Sequence, residues 1–291
     1  MKLGSDSMHA VEYADAGLFQ QKAGDFLVLR EAENCYFLSL LLDISANAGG
    51  LEAFRPRLFA VEESGAVVAA AMLFPSGRLL MTGAADETAR AFIDFLAASK
   101  VQLTGIHGPA PVSRECARAW LKRTGQGYEV ARTERVYQLD CVTYPPPASG
   151  RMEVATVADR GLLTGWFKGF GRETACEDHA FDKMLDYAIE CGTLFLWKDP
   201  VPVAMATWCS PTLHGGCINL VYTPPELRRR GYAKAVVSGL GRRMLASGRR
   251  YCFILTEPTD SHTNSLYQQI GARAVCELMR CNILAAAEAG R

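Results

Sequence analysis

Val221-Tyr222-Thr223-Pro224-Pro225-Glu226-Leu227-Arg228-Arg229-Arg230-Gly231-Tyr232-Ala233 joins an apolar strand to an amphipathic helix through a short basic turn. Upstream, residues 217–222 read as a strand that Pro224-Pro225 terminates. Downstream, Ala233, Val236, Val237, Leu240, Met244 and Leu245 form one apolar stripe and predict a helix over 232–246, closed by Gly248. The first turn of such a helix carries amide groups without intrahelical acceptors, and its dipole places partial positive charge there. Phosphate groups bind at such a terminus. Gly231 lets the backbone come close to an anion, Ala233 is too small to obstruct it, and Arg228, Arg229 and Arg230 add charge-assisted donors. Three adjacent arginines alone more often make a solvated basic face, so the strand-turn-helix setting carries the reading rather than the charge.

Around this stretch the C-terminal half alternates regularly. A short strand at 152–157 is followed by Asp159 as a helix cap, a helix through Trp166 and Phe167, and a second helix over 180–190. Residues 193–198 and 201–209 form an antiparallel hairpin turning at Asp199-Pro200. A strand at 251–256, a helix at 264–270 ending at Gly271, and one or two strands over 274–284 complete the half. The N-terminal half has nearly the same order: a hairpin over 58–73 turning at Ser64-Gly65, a strand at 79–82 and a helix at 87–98. A strand at 101–106, a helix at 113–124 and a strand at 136–141 follow. Where the C-terminal half has arginines before its helix, this half has Gly83-Ala84-Ala85-Asp86-Glu87, whose carboxylates would repel a phosphate.

Tyr144-Pro145-Pro146-Pro147-Ala148-Ser149-Gly150 is the clearest punctuation. The expectation is an α+β chain of two domains, 1–143 and 151–291, joined by a linker at 144–150. Each is a mostly antiparallel mixed sheet flanked by helices.

Among 291 residues, Lys plus Arg number 31 and Asp plus Glu number 31, so no global field draws the chain to nucleic acid or an anionic surface. The start lacks the apolar core of a signal peptide and no later run is long enough to span a bilayer, which makes a cytoplasmic protein without membrane contact the expectation. The 10 cysteines are scattered, with no C-x-x-C pair or Cys-His cluster, and read as buried thiols with no metal site. There is no H-E-x-x-H and no G-x-S-x-G. Gly239 and Gly241 fall inside a predicted helix and make no dinucleotide loop.

Arg228-x-x-Gly231-x-Ala233, approached through Val221-x-x-Pro224-x-x-x-Arg228, resembles the Q/R-x-x-G-x-G/A signature of the GNAT superfamily of acyl-CoA-dependent N-acyltransferases. Asn264-Ser265-Leu266-Tyr267-Gln268-Gln269-Ile270-Gly271-Ala272 is similar to the family's later N-x-L-Y-x-x-x-G-F motif. The resemblance covers 152–284 by motif and the first half by element order only, which implies a tandem arrangement with a degenerate N-terminal copy.

What the resemblance implies is acetyl-CoA, or another short acyl-CoA, as cofactor. The implied binding residues are Val221, Tyr222, Thr223, Arg228, Arg229, Arg230, Gly231, Tyr232, Ala233 and Asn264. Tyr267 inherits the role of general acid toward the departing thiolate, which a phenol protonated at neutral pH suits. Ala272 replaces the usual aromatic residue, and Asp260 stands where an asparagine often begins the motif, placing a carboxylate near an anionic coenzyme. A base must take the proton of the acceptor amine. Glu173 is the candidate, with Glu177, His179 and Glu257 behind it.

The implied acceptor is a small amine or amino-acid-like molecule and the implied assembly a monomer or homodimer, with no nucleic-acid partner. The alternative reading is a non-catalytic acyl-CoA-binding or interaction module.

Overall fold

The computed structural model describes residues 8–46, 55–144, 149–174 and 181–285. The prolines of the expected linker, with Glu177 and His179, lie outside the described residues. The chain divides into two compact units, residues 1–136 with 275–291, and residues 137–274. The segment at 144 and 149–150 lies inside the second unit, and the last strand packs with the first.

The first unit comprises β1 (Met8–Tyr13), α1 (Ala16–Leu29), α2 (Cys35–Ala46), β2 (Arg57–Glu63), β3 (Ala66–Leu73), β4 (Arg78–Met81), α3 (Asp86–Ala98), β5 (Gly105–Pro109) and α4 (Ala110–Thr124). β6 (Tyr128–Leu139) begins here. β1 to β4 pair antiparallel in succession, β4 pairs parallel with β5, and residues 278–282 of β12 (Arg273–Ile283) pair antiparallel with β5. Leu58, Ala60, Ala70, Met72 and Leu80 turn toward α1 and α2, while Phe59, Val61, Leu79, Met81 and Ile106 turn toward α3 and α4, as the twofold period of a strand requires. The strand expected at 101–106 begins four residues later. Thr104 instead donates its amide to the Gly77 carbonyl in the loop before β4, leaving Gly105 to start the ladder.

The second unit holds β7 (Arg151–Val154), α5 (Arg160–Thr174), α6 (Phe181–Glu190), β8 (Leu194–Lys198), β9 (Pro202–Cys209), β10 (Cys217–Tyr222), α7 (Tyr232–Ala246), β11 (Cys252–Thr256) and α8 (Ser261–Gln269). β7 to β10 pair antiparallel in succession, β10 pairs parallel with β11, and the end of β6 lies beside β11. The order of elements repeats that of the first unit. α7 packs on one sheet face through Val236, Val237, Leu240 and Met244, and α5 and α6 cover the other through Leu163, Phe167, Phe181 and Leu185. Each such side chain contributes roughly 1.5–3 kcal/mol by leaving water.

Several local expectations need correction. Thr156, not Asp159, caps the turn before α5, and Asp159 completes a capping box by accepting from the Thr156 amide at 2.9 Å. α8 starts earlier than expected because Asp260 caps it, accepting from the Thr263 amide at 3.0 Å. The cysteines are not uniformly buried, since Cys141 and Cys191 are exposed. No helix among the described residues is long and apolar enough to cross a membrane.

Candidate functional site

The strand β10 leaves regular pairing at both edges. Against β9 the register runs Asn219↔Thr207 and then Tyr222↔Met205, so one extra residue is accommodated as a bulge. Leu220 takes φ 49°, and its amide donates to Asn219 Oδ1 at 2.7 Å instead of to the ladder. Against β11 the ladder covers Cys217↔Phe253 and Ile218↔Ile254, and β10 continues past it to Tyr222. A splayed parallel pair leaves backbone groups facing the gap, where an extended ligand can pair with them.

At the end of this strand, Leu227 donates its amide to the Pro224 carbonyl at 2.9 Å in a short 3-10 turn. Arg229 (φ 62°) and Gly231 (φ 86°) then reverse the chain into α7. No side chain caps α7, and among the described residues no acceptor takes the amides of Gly231, Tyr232 and Ala233. A Cβ on Gly231 would meet nothing within 4 Å, so the side of the turn it would occupy is open. Arg229 and Arg230 are exposed and pair with no described carboxylate. In the first unit the equivalent helix α3 carries Asp86 and Glu87 in its first turn. The two helix starts are therefore electrostatically opposite.

Arg228 is committed elsewhere. Its Nε donates to the Thr223 carbonyl at 2.9 Å, its Nη2 donates to both Glu173 oxygens at 2.6 and 2.8 Å, and its guanidinium lies 5.7 Å from the Tyr222 ring. Tyr222 is buried, which raises its phenol above the usual range, with the Glu173 charge adding to the effect. Its hydroxyl fits because Gly169 of α5 has no side chain, a Cβ there lying 2.3 Å from it. Thr223 Oγ1 is buried without a partner among the described residues. Val221 is half-buried beside it, and Tyr232 donates its hydroxyl to Asp199 at 3.3 Å.

Asn264 and Tyr267 are both buried on α8. Asn264 Nδ2 donates to the Glu257 carbonyl at 2.9 Å, and its Oδ1 accepts from the Tyr137 hydroxyl at 2.8 Å, so its side chain organises the turn before α8. Tyr267 is 4% exposed, with the Tyr137 ring centroid 5.8 Å away. Burial pushes its phenol well above its ordinary value, and the Asp260 charge acts in the same direction. Tyr137 was missed by the sequence reading. It lies 127 residues from Asn264 in a strand assigned to the other half, and its alternating neighbours give no sign of its partner.

Two units with one element order, each with a parallel strand pair set beside antiparallel ones, define a tandem α+β architecture. The fold is that of the GNAT superfamily. Residues 197–281 match the family model described as FR47-like protein. A GCN5-related N-acetyltransferase from Sphaerobacter thermophilus is similar over 96% of this chain and 96% of its own, with TM-score 0.59 and 15% identity. A Drosophila protein aligns over 97% of this chain and 100% of its own at TM-score 0.62 and 10% identity. A tandem GNAT protein from the clavulanic acid biosynthesis pathway aligns over 97% and 100% at TM-score 0.52 and 10% identity. At such identities the likeness is one of fold. No curated protein matches in sequence.

Proposed function

We propose that the second unit is an acyl-CoA-dependent N-acyltransferase that moves a short acyl group, acetyl in the simplest case, to a small primary amine. The observation that carries this reading is the start of α7. Three acceptor-free amides, a left-handed Gly231 with open space beside it and two arginines without a carboxylate partner among the described residues sit at the end of a bulged strand splayed from its neighbour. These residues fit a coenzyme diphosphate, because the donors are preorganised and a negative group there meets the positive end of the helix.

The thioester supplies the activated acyl group. The amides of Gly231, Tyr232 and Ala233 hold the diphosphate, with Arg229 and Arg230 at the rim, while Val221, Tyr222 and Thr223 line the path of the pantetheine arm. Backbone donors of β10 near the bulge stabilise the developing oxyanion. Tyr267 stays protonated because burial disfavours its phenolate, and it serves as proton donor to the leaving thiolate. Glu173, on the acceptor side, is the proposed base for the amine once Arg228 turns from it. Asn264 acts by holding the turn that positions Tyr267.

Release of thiol from acetyl-CoA across a panel of small amines tests the reading, together with calorimetric binding of coenzyme A to the full chain. Absence of binding overturns it. Binding without turnover for any amine favours the second reading, a non-catalytic acyl-CoA-binding module, for which the Arg228 clamp on Glu173 is the specific support.

A further inference from the structure

The first unit contains a cluster of positive groups for which the acyl-transfer reading has no use. In the ladder β4-β5-β12, Arg78 lies opposite Gly105, and His107 lies between Leu80 and Arg280. Paired positions point to one face of a sheet, so Arg78, His107 and Arg280 share the face that carries Leu80 toward α1 and α2. The Arg78 guanidinium lies over Gly105, where a Cβ would stand 3.6 Å from its Nη1. From α2, the Tyr36 ring lies 5.1 Å from the imidazole.

The cluster is uncompensated. Arg78 Nη1 and Arg280 Nε are buried without a hydrogen-bond partner, and neither arginine pairs with a carboxylate among the described residues. His107 is 5% exposed. Burial, with the charges of Arg280 and Arg78 acting in the same direction, depresses its pKa to about 4. Asn282, next to Gly105 on β12, donates to Glu129 at 3.4 Å. Buried guanidinium donors left unpaired beside a like charge are costly, and the arrangement becomes favourable when a negative group accepts from both arginines.

We propose that Arg78, Arg280 and His107 form a binding site for a small oxyanion, the carboxylate or phosphate of a ligand distinct from the acyl-CoA held at α7. The guanidinium forks of the two strands that flank β5 converge on one anion, His107 becomes a third donor when the anion favours its protonated form, and Tyr36 covers the imidazole. The site belongs to the repeat whose own helix start, with Asp86 and Glu87, is unsuited to phosphate.

Calorimetry on the full chain with inorganic phosphate and with acetate, at matched ionic strength, tests this, alongside NMR titration of the His107 ring. The expected result is saturable binding of at least one anion that raises the His107 pKa. That binding weakens tenfold or more in both Arg78→Gln and Arg280→Gln but persists in Gly231→Ala. A preference for phosphate or for acetate identifies the ligand group. No saturable binding, an unmoved His107 resonance, or binding lost in Gly231→Ala and kept in the arginine variants overturns the proposal. Should a glutamine variant fail to fold, the His107 titration of the unaltered chain decides alone.

Discussion

Arg228 bridges the turn before α7 and helix α5: its Nη2 donates to both oxygens of Glu173 while its Nε holds the carbonyl of Thr223. One side chain thereby links the strand end lining the proposed coenzyme path to the helix bearing the proposed base. Both partners are substantially exposed, with side-chain accessibilities of 41% and 45%, so the pair contributes only about 0.2–1 kcal/mol to stability.

Glu173→Gln separates two roles for that carboxylate. As the base, its loss lowers kcat by about 100-fold with an unchanged melting temperature. If steady-state kinetics instead show kcat retained and KM for acyl-CoA raised by up to about fivefold, the carboxylate is only a clamp on Arg228.

Tyr267→Phe is expected to lower kcat by about 100-fold while calorimetric affinity for coenzyme A stays the same. The raised phenol has a second consequence. A group whose folded pKa lies above its unfolded value of 10.0 contributes stability fully present below pH 10, and that contribution is lost as pH rises through the folded value. Alkaline unfolding of the wild type therefore has a component that Tyr267→Phe removes, measurable by circular dichroism above pH 10.

Gly231→Ala tests the turn itself. The new Cβ meets no protein atom, so its structural cost is that of a left-handed backbone, about 1–2 kcal/mol. Affinity for coenzyme A should fall tenfold or more, because the methyl group occupies the open side of the turn. Undiminished affinity would show that the diphosphate lies elsewhere.

His107 sets an acid limit on the first unit. Its folded pKa of about 4 is depressed from 6.5, so the stability it contributes is present above pH 6.5 and is lost as pH falls through about 4. The shift corresponds to about 3 kcal/mol. Denaturant unfolding from pH 7 to 4 should show a decline that His107→Gln flattens and that a bound oxyanion reduces.

The strand-to-helix turn after β10, α7 from Tyr232 to Ala246 and the hairpin of β8 and β9 were legible in the sequence. Each is decided by residues within a few positions: an apolar stripe of helical period, a proline pair, a turn between β-rich runs. The start of β5 was not, because Gly105 enters the ladder through its pairing with Arg78 on another strand. Likewise Asp260, read as a carboxylate facing a coenzyme, is a helix cap, and only the actual start of α8 reveals it.

The order of elements in each half, and an α7 start without a side-chain cap behind a basic turn, followed from local chemistry written into the chain. Tertiary structure decided that β12 pairs with β5, that Tyr137 reaches Tyr267, that Arg228 holds Glu173, and that two arginines flank His107. The physical reason is that backbone hydrogen bonds between strands carry no sequence code. Which distant strand fills an edge depends on the burial of whole faces, and the side chains brought together follow from that pairing.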